Sequence, residues 1–177
     1  MKKLCLYVCV VMLLCACETP PAKRTAVNPR NTVNYAYNIN TNKWEINTNN
    51  YNAVTALKAL KAYEQGDTLL LRNHLADDIT VYYNGGIFKG NSGEFMYAVK
   101  VRVSALKNLH FDIKDCQSVI STNKQVEKVL TRYTQSWINE HGQPDSADVI
   151  DEAFFKDGRI VEWREYVRQS HAESSPL

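Results

Sequence analysis

Little in this chain supports a disulfide scaffold, a metal cluster or a nucleic-acid surface. Four of its five cysteines lie within the first 17 residues, which leaves Cys116 alone in the remainder and excludes an intrachain disulfide there. The four histidines are His74, His110, His141 and His171, and no two have metal-ligand spacing, so neither a metal nor a cofactor is expected. Charge of one sign is also missing. Lys2 and Lys3 account for the whole net charge of +2, so from Cys17 onward basic and acidic residues balance at 19 each. Phosphate binding needs a basic excess or patch, which argues against nucleic acid as a partner. Long apolar runs are absent too: the one run, Leu4–Ala16, falls short of the about 20 residues that span a bilayer.

What is present starts at the N-terminus. A basic head, a short apolar run and a small residue before Cys17 follow one another in the order of an export signal. Leu14-Cys15-Ala16-Cys17 resembles a lipobox. The resemblance implies cleavage before Cys17 and acylation of its thiol, so residues 1–16 are the signal peptide. An ordinary Cys-rich export signal is the alternative. A lipid on Cys17 would anchor the domain to a cell membrane, facing the periplasm, with inner or outer membrane left open. More than one acyl chain gives stable anchoring. Residues 17–50 read as a lipidated Cys plus an Asn-rich tether holding Pro20, Pro21 and Pro29. Within it Val33, Tyr35, Tyr37, Ile39, Trp44 and Ile46 follow a period of two, which suggests an arm or short strand on the domain.

Residues 51–170 carry the signals of one folded unit, followed by a polar tail, 171–177. Ala53, Ala56, Leu57, Leu60 and Tyr63 fall at helical spacing and Gly66 stops them. Asp67 is a good N-cap for a helix over 68–75. Ile79–Tyr83 is β-branched and aromatic, and Asn84-Gly85 marks a hairpin. Asn91 and Glu94 resemble a capping box before a helix bearing Phe95, Val99, Val103 and Leu106. Four strands complete the chain, around Leu109–Ile113, 125–139, 147–155 and 159–168, the last two joined by Asp157-Gly158. The order implies an α+β fold with helices on one face of a curved antiparallel sheet.

Three segments then carry a family resemblance: Tyr63-Glu64-Gln65-Gly66-Asp67, Leu75-Ala76-Asp77-Asp78-Ile79, and Asp157-Gly158-Arg159-Ile160-Val161-Glu162-Trp163-Arg164-Glu165-Tyr166. Together they resemble the SnoaL-like branch of the nuclear-transport-factor-2-like superfamily. The resemblance implies a cystatin-like roll: a cone-shaped sheet wrapped around three helices, with a pocket at the wide end. Members include isomerases, cyclases, epoxide hydrolases and inert binding domains, so the fold alone leaves activity open.

Strand alternation offers candidate pocket residues independently. Val129, Thr131, Tyr133, Gln135 and Trp137 share one face of the long strand; Val161, Trp163, Glu165 and Val167 share one face of the last. Both sets lack Arg and Lys, whereas Ile160, Glu162, Arg164, Tyr166 and Arg168 oppose the second. With Tyr82 and Asn84 these faces would make an aromatic cup for a small, largely apolar molecule. Tyr82-Tyr83-Asn84 also resembles the Tyr-x-Asn pair of limonene epoxide hydrolases. That resemblance puts the other functional positions on Tyr133, Gln135 and Glu165, so the Arg–Asp pair is missing, and Gln135 cannot act as a base. Glu165 is then the candidate general base, its pKa raised by burial, with Tyr82 or Tyr133 as acid. The alternative is a buried acid satisfied by Tyr or Arg. Trp137 and Trp163 are equally readable as core packing. Cys116 reads as a structural thiol, with Lys114 the one neighbour that would activate it. A third functional reading is a homodimerisation module using the polar outer face with Arg132, Glu162, Arg164 and Arg168.

Overall fold

A computed structural model describes residues 44–169. The signal peptide 1–16, Cys17, most of the tether including Val33–Ile39, and the tail 171–177 lie outside the described residues. Among the described residues no helix is long and apolar enough to cross a membrane.

The elements in order are β1 (Trp44–Ile46), α1 (Tyr51–Glu64), α2 (Thr68–His74), β2 (Leu75–Tyr83), β3 (Gly86–Asn91), α3 (Ser92–Ala105), β4 (Lys107–Ser121), β5 (Glu127–Ile138), β6 (Pro144–Lys156) and β7 (Arg159–Gln169). Local chemistry explains the boundaries. Asp67 caps α2 by accepting from the Leu70 N–H at 2.9 Å, and Asn91 caps α3 by accepting from the Gly93 N–H at 2.8 Å. The Asp157-Gly158 turn places both residues at positive φ, 52° and 75°, which suits a two-residue hairpin loop.

The seven strands form one curved, open sheet in the order β1-β4-β5-β6-β7-β2-β3. All pairings are antiparallel except β2 with β7, so the sheet is mixed where an antiparallel one was expected. That pair closes across the sequence: β7, the last strand, inserts beside β2, the second. Trp44–Ile46, the end of the expected tether, is an edge strand on β4, with Trp44 opposite Ser121.

Alternation on β5 and β6 separates an inner face from an outer one. Val129, Thr131, Tyr133 and Gln135 are buried, as are Ala147, Val149, Asp151, Ala153 and Phe155, while Arg132, Asp148 and Ile150 are exposed. On β7 the period breaks once. Phe155 pairs with Ile160 and Phe154 with Glu162, so a bulge at Val161 turns Ile160 inward, where it is fully buried, instead of onto the outer face. The inner faces meet Ala56, Ala59 and Leu60 of α1, Leu71 of α2 and Met96 and Val99 of α3 in one core. Burying each of Leu71, Leu75, Ile160, Val129 and Val149 contributes roughly 1.5–3 kcal/mol. The outer face is polar and stacked: the Arg164 guanidinium lies 5.3 Å from the Tyr82 ring centroid and 4.9 Å from that of Phe154.

Candidate functional site

Where the helices part from the inner face of the sheet, a cavity of about 250 Å³ remains. Leu60, Leu71, Val81, Phe88, Phe95, Val99 and Trp163 make most of its wall apolar. Its polar groups are Tyr63 from α1, Tyr83 from β2, Arg102 from α3, Tyr133 from β5, Asp151 from β6 and Glu165 from β7. Each arrives by periodicity. Tyr63 ends the apolar face of α1. Phe95, Val99 and Arg102 lie at i, i+4 and i+7 on one side of α3. Asp151 occupies the inward position between Val149 and Ala153.

Register sets the electrostatics. Asp151 sits directly opposite Glu165 across the β6–β7 ladder. Directly opposed Cβ atoms are about 5 Å apart, so two ionised carboxylates there repel strongly. Glu165 is paired with Arg102, whose Nη2 donates to Oε1 at 3.2 Å. Asp151 is only 3 % exposed. Burial, and then the Glu165 charge, push its pKa up to about 8, against the opposing pull of the Tyr133 hydroxyl, the Trp163 indole and Arg102. At pH 7 its carboxyl is therefore mostly protonated. The Tyr133 hydroxyl donates to Asp151 Oδ2 at 3.0 Å, while Oδ1 is buried with no hydrogen-bond partner among the described residues.

The tyrosines are fixed by stacking. Phe111 of β4 lies between them, with ring centroids 6.0 Å from Tyr63 and 4.9 Å from Tyr133. Burial, reinforced by Asp151 and Glu165, raises the Tyr133 pKa well above the ordinary value. Burial likewise raises Tyr63, to about 12. Both are neutral hydrogen-bonding groups at any physiological pH.

Of the residues singled out from sequence, the fold brings Tyr133, Trp163 and Glu165 together on the cavity wall. Gln135 is buried and Trp137 half-buried on the inner side, packed in the core, and neither lines the cavity. Tyr82 and Asn84 need correction. Ile79 and Val81 point inward, so Tyr82 stands on the outer face beneath Arg164, and Asn84 is exposed in the β2–β3 turn. Tyr83, from the same tripeptide, lines the cavity instead. A phase error of one residue exchanges the two faces of a strand. Asp151, Arg102 and Tyr63 were missed as site residues. The available signal was a lone acid in the inward register of β6 and a lone Arg on the apolar stripe of α3. Arg102 and Asp151 reach the cavity from α3 and β6.

Other candidates fall outside the cavity. Cys116 is half-buried, its thiol pKa raised by burial, with the Thr131 hydroxyl 3.8 Å from its sulfur; Lys114 is engaged by Asp112. His110 binds Glu64, which also accepts from the Phe111 N–H and so ties the end of α1 to β4. No cluster among the described residues has the make-up of a metal site.

No protein-family profile and no curated protein matches the chain. Solved structures do. A nuclear-transport-factor-2-like protein of unknown function from Exiguobacterium is 19 % identical, with a TM-score of 0.53 over 64 % of this chain and 98 % of its own. An epoxide hydrolase from M. tuberculosis, described as resembling limonene epoxide hydrolase, is 20 % identical, with a TM-score of 0.52 over 67 % of this chain and 83 % of its own. A putative polyketide cyclase from Sinorhizobium meliloti is 19 % identical, with a TM-score of 0.50 over 64 % and 94 %. At these identities the likeness is one of fold.

Proposed function

We propose that this nuclear-transport-factor-2-like domain holds a small, largely apolar molecule in its cavity, at a membrane to which a lipid on Cys17 tethers it. The observation that carries the reading is the wall itself: a mostly apolar and aromatic lining with a few polar groups, the usual composition of a small-molecule site. A cavity of 250 Å³ suits one or two rings; it is larger than the roughly 150 Å³ cavity that takes benzene and smaller than a typical drug-sized pocket. A thermal-shift screen of uncharged mono- and bicyclic compounds tests it. A saturable rise in Tm that disappears when Ala98→Phe narrows the cavity supports the reading; no shift from any compound rejects it. For the tether, palmitate-analogue labelling is expected on the wild type and not on Cys17→Ser, and equal labelling of both rejects it.

A second reading, favoured by the opposed carboxyls, is acid–base catalysis. The neutral Asp151 would give a proton and Glu165, beside Arg102, would take one. Environments that push two carboxyl groups apart are how one site runs both roles. Isomerisation, cyclisation and hydrolysis are the reaction classes this division serves, and the hydrolase and cyclase sharing the fold lend them weight. In this reading Tyr133 replaces Tyr82 as the tyrosine at the reacting centre. Glu165→Gln and Asp151→Asn are expected each to abolish turnover of a candidate substrate while the fold persists.

A further inference from the structure

Helix α3 carries apolar residues on its exposed side as well as on its buried one. Met96 and Val99 enter the core, and Phe95, Val99 and Arg102 line the cavity. The side turned to solvent holds Tyr97 and Val101, at i and i+4, which are 74 % and 54 % exposed. Ala98 and Ala105 are exposed on the same helix. Ala98 also lines the cavity, as does Tyr83, which is exposed too, so this surface runs on into the cavity wall. An exposed apolar face of this kind marks a surface that meets something.

Charge indicates what it meets. From Ser92 to Lys107 the chain has Lys100, Arg102 and Lys107 against Glu94 alone, a local excess in a chain that is balanced from Cys17 onward. Lys100 and Lys107 are exposed. The exposed apolar residues of the outer sheet face have a different setting. Ile150 and Tyr166 pair across β6–β7 and stand among Arg132, Glu152, Glu162 and Arg164, where the signs are mixed. Tyrosine and aliphatic side chains beside an excess of lysine make up an interfacial membrane surface: the apolar groups enter the headgroup level and the cations meet anionic lipid. Reach is sufficient as well. Residues 18–43 separate Cys17 from Trp44 and can extend to about 90 Å, whereas the 12 residues of β5 measure about 40 Å.

Resting on the reading of Cys17 as a membrane anchor, we propose that the exposed face of α3, with Tyr97, Val101, Lys100 and Lys107, docks on an anionic phospholipid surface, so that the cavity takes its apolar ligand from the bilayer.

The full chain, reconstituted into vesicles and recovered by flotation, tests this. The vesicles contain phosphatidylglycerol with a photoactivatable diazirine near the top of its acyl chain, and cross-linked residues are mapped by mass spectrometry. Cross-links are expected at Tyr97, Val101 and Tyr83 and not at Ile150 or Tyr166, which serve as exposed apolar controls. With phosphatidylcholine carrying the same diazirine, the α3 cross-links are expected to fall. Lys100→Gln and Lys107→Gln should each lower the ratio of docked to undocked protein about 5-fold, the worth of one basic residue at an anionic surface. Tyr97→Ser with Val101→Ser should abolish docking, and both positions are exposed enough for the fold to persist. Protein that floats with the vesicles but cross-links evenly over both faces, or only on the outer sheet face, overturns the docking and leaves the anchor standing. Cross-links between two chains through Tyr97, in place of lipid, make the face a contact between copies and also overturn it. Protein that does not float overturns both docking and anchor.

Discussion

Asp151 gives the sharpest quantitative expectation, because a carboxyl that must be neutral to stay buried leaves a thermodynamic trace without any ligand. In the unfolded chain its pKa is near the ordinary 3.8; in the folded protein it is pushed up to about 8. Between those values the native state holds a proton that the unfolded state has released. Stability then falls as pH rises across the window, by at most about 1.4 kcal/mol per pH unit for this one group, and levels off above pH 8. Asp151→Asn removes the titration and keeps the shape. Two units, from pH 5 to pH 7, correspond to about 3 kcal/mol at full effect, and adjustment of the neighbouring Arg102–Glu165 pair reduces that to roughly 1–3 kcal/mol. The assay is urea unfolding of wild type and variant at pH 5, 6, 7 and 8, with the difference in unfolding free energy plotted against pH. The difference should move in favour of the variant as pH rises. A difference that stays constant, whatever its size, would mean that Asp151 is ionised in the folded protein and would remove the basis for its neutral-donor role.

Other outcomes follow from the same geometry. Glu165→Gln removes the cross-strand negative charge that helps raise the Asp151 pKa, so the Asp151 carboxyl is expected to titrate below 8, read from its carbon-13 shift; an unchanged midpoint contradicts the cross-strand coupling. Leu71 is fully buried and part of the cavity wall, so Leu71→Ala should cost about 2–5 kcal/mol in urea unfolding and widen the cavity toward larger ligands; a cost under 1 kcal/mol would show that the wall collapses around the gap. Tyr82→Phe should leave affinity for any cavity ligand unchanged, whereas Tyr133→Phe strips Asp151 Oδ2 of its donor and should change both affinity and the Asp151 midpoint. The reverse ranking would put Tyr82, not Tyr133, in the cavity.

Much of this molecule is legible without coordinates, and the reason is local. Helix α1 announces itself by the spacing of Ala53, Ala56, Leu60 and Tyr63; α2 and α3 by the caps Asp67 and Asn91; the β6–β7 hairpin by Asp157-Gly158. The inward face of β5, with Tyr133 and Gln135 buried, follows from strict alternation, because nothing interrupts that strand between Val129 and Gln135. Such features depend on residues within a turn or two of one another, so the chain specifies them on its own. The interleaving of β7 beside β2 belongs to another level. It pairs positions some 80 residues apart, and only the closing of the sheet selects it. The bulge that turns Ile160 inward and the phase that sends Tyr82 outward depend on which neighbour each strand meets. The site is decided there as well. Asp151 is an ordinary aspartate in the sequence; it becomes a neutral buried acid because the β6–β7 register sets it against Glu165, and because α3 brings Arg102 to Glu165 and not to it.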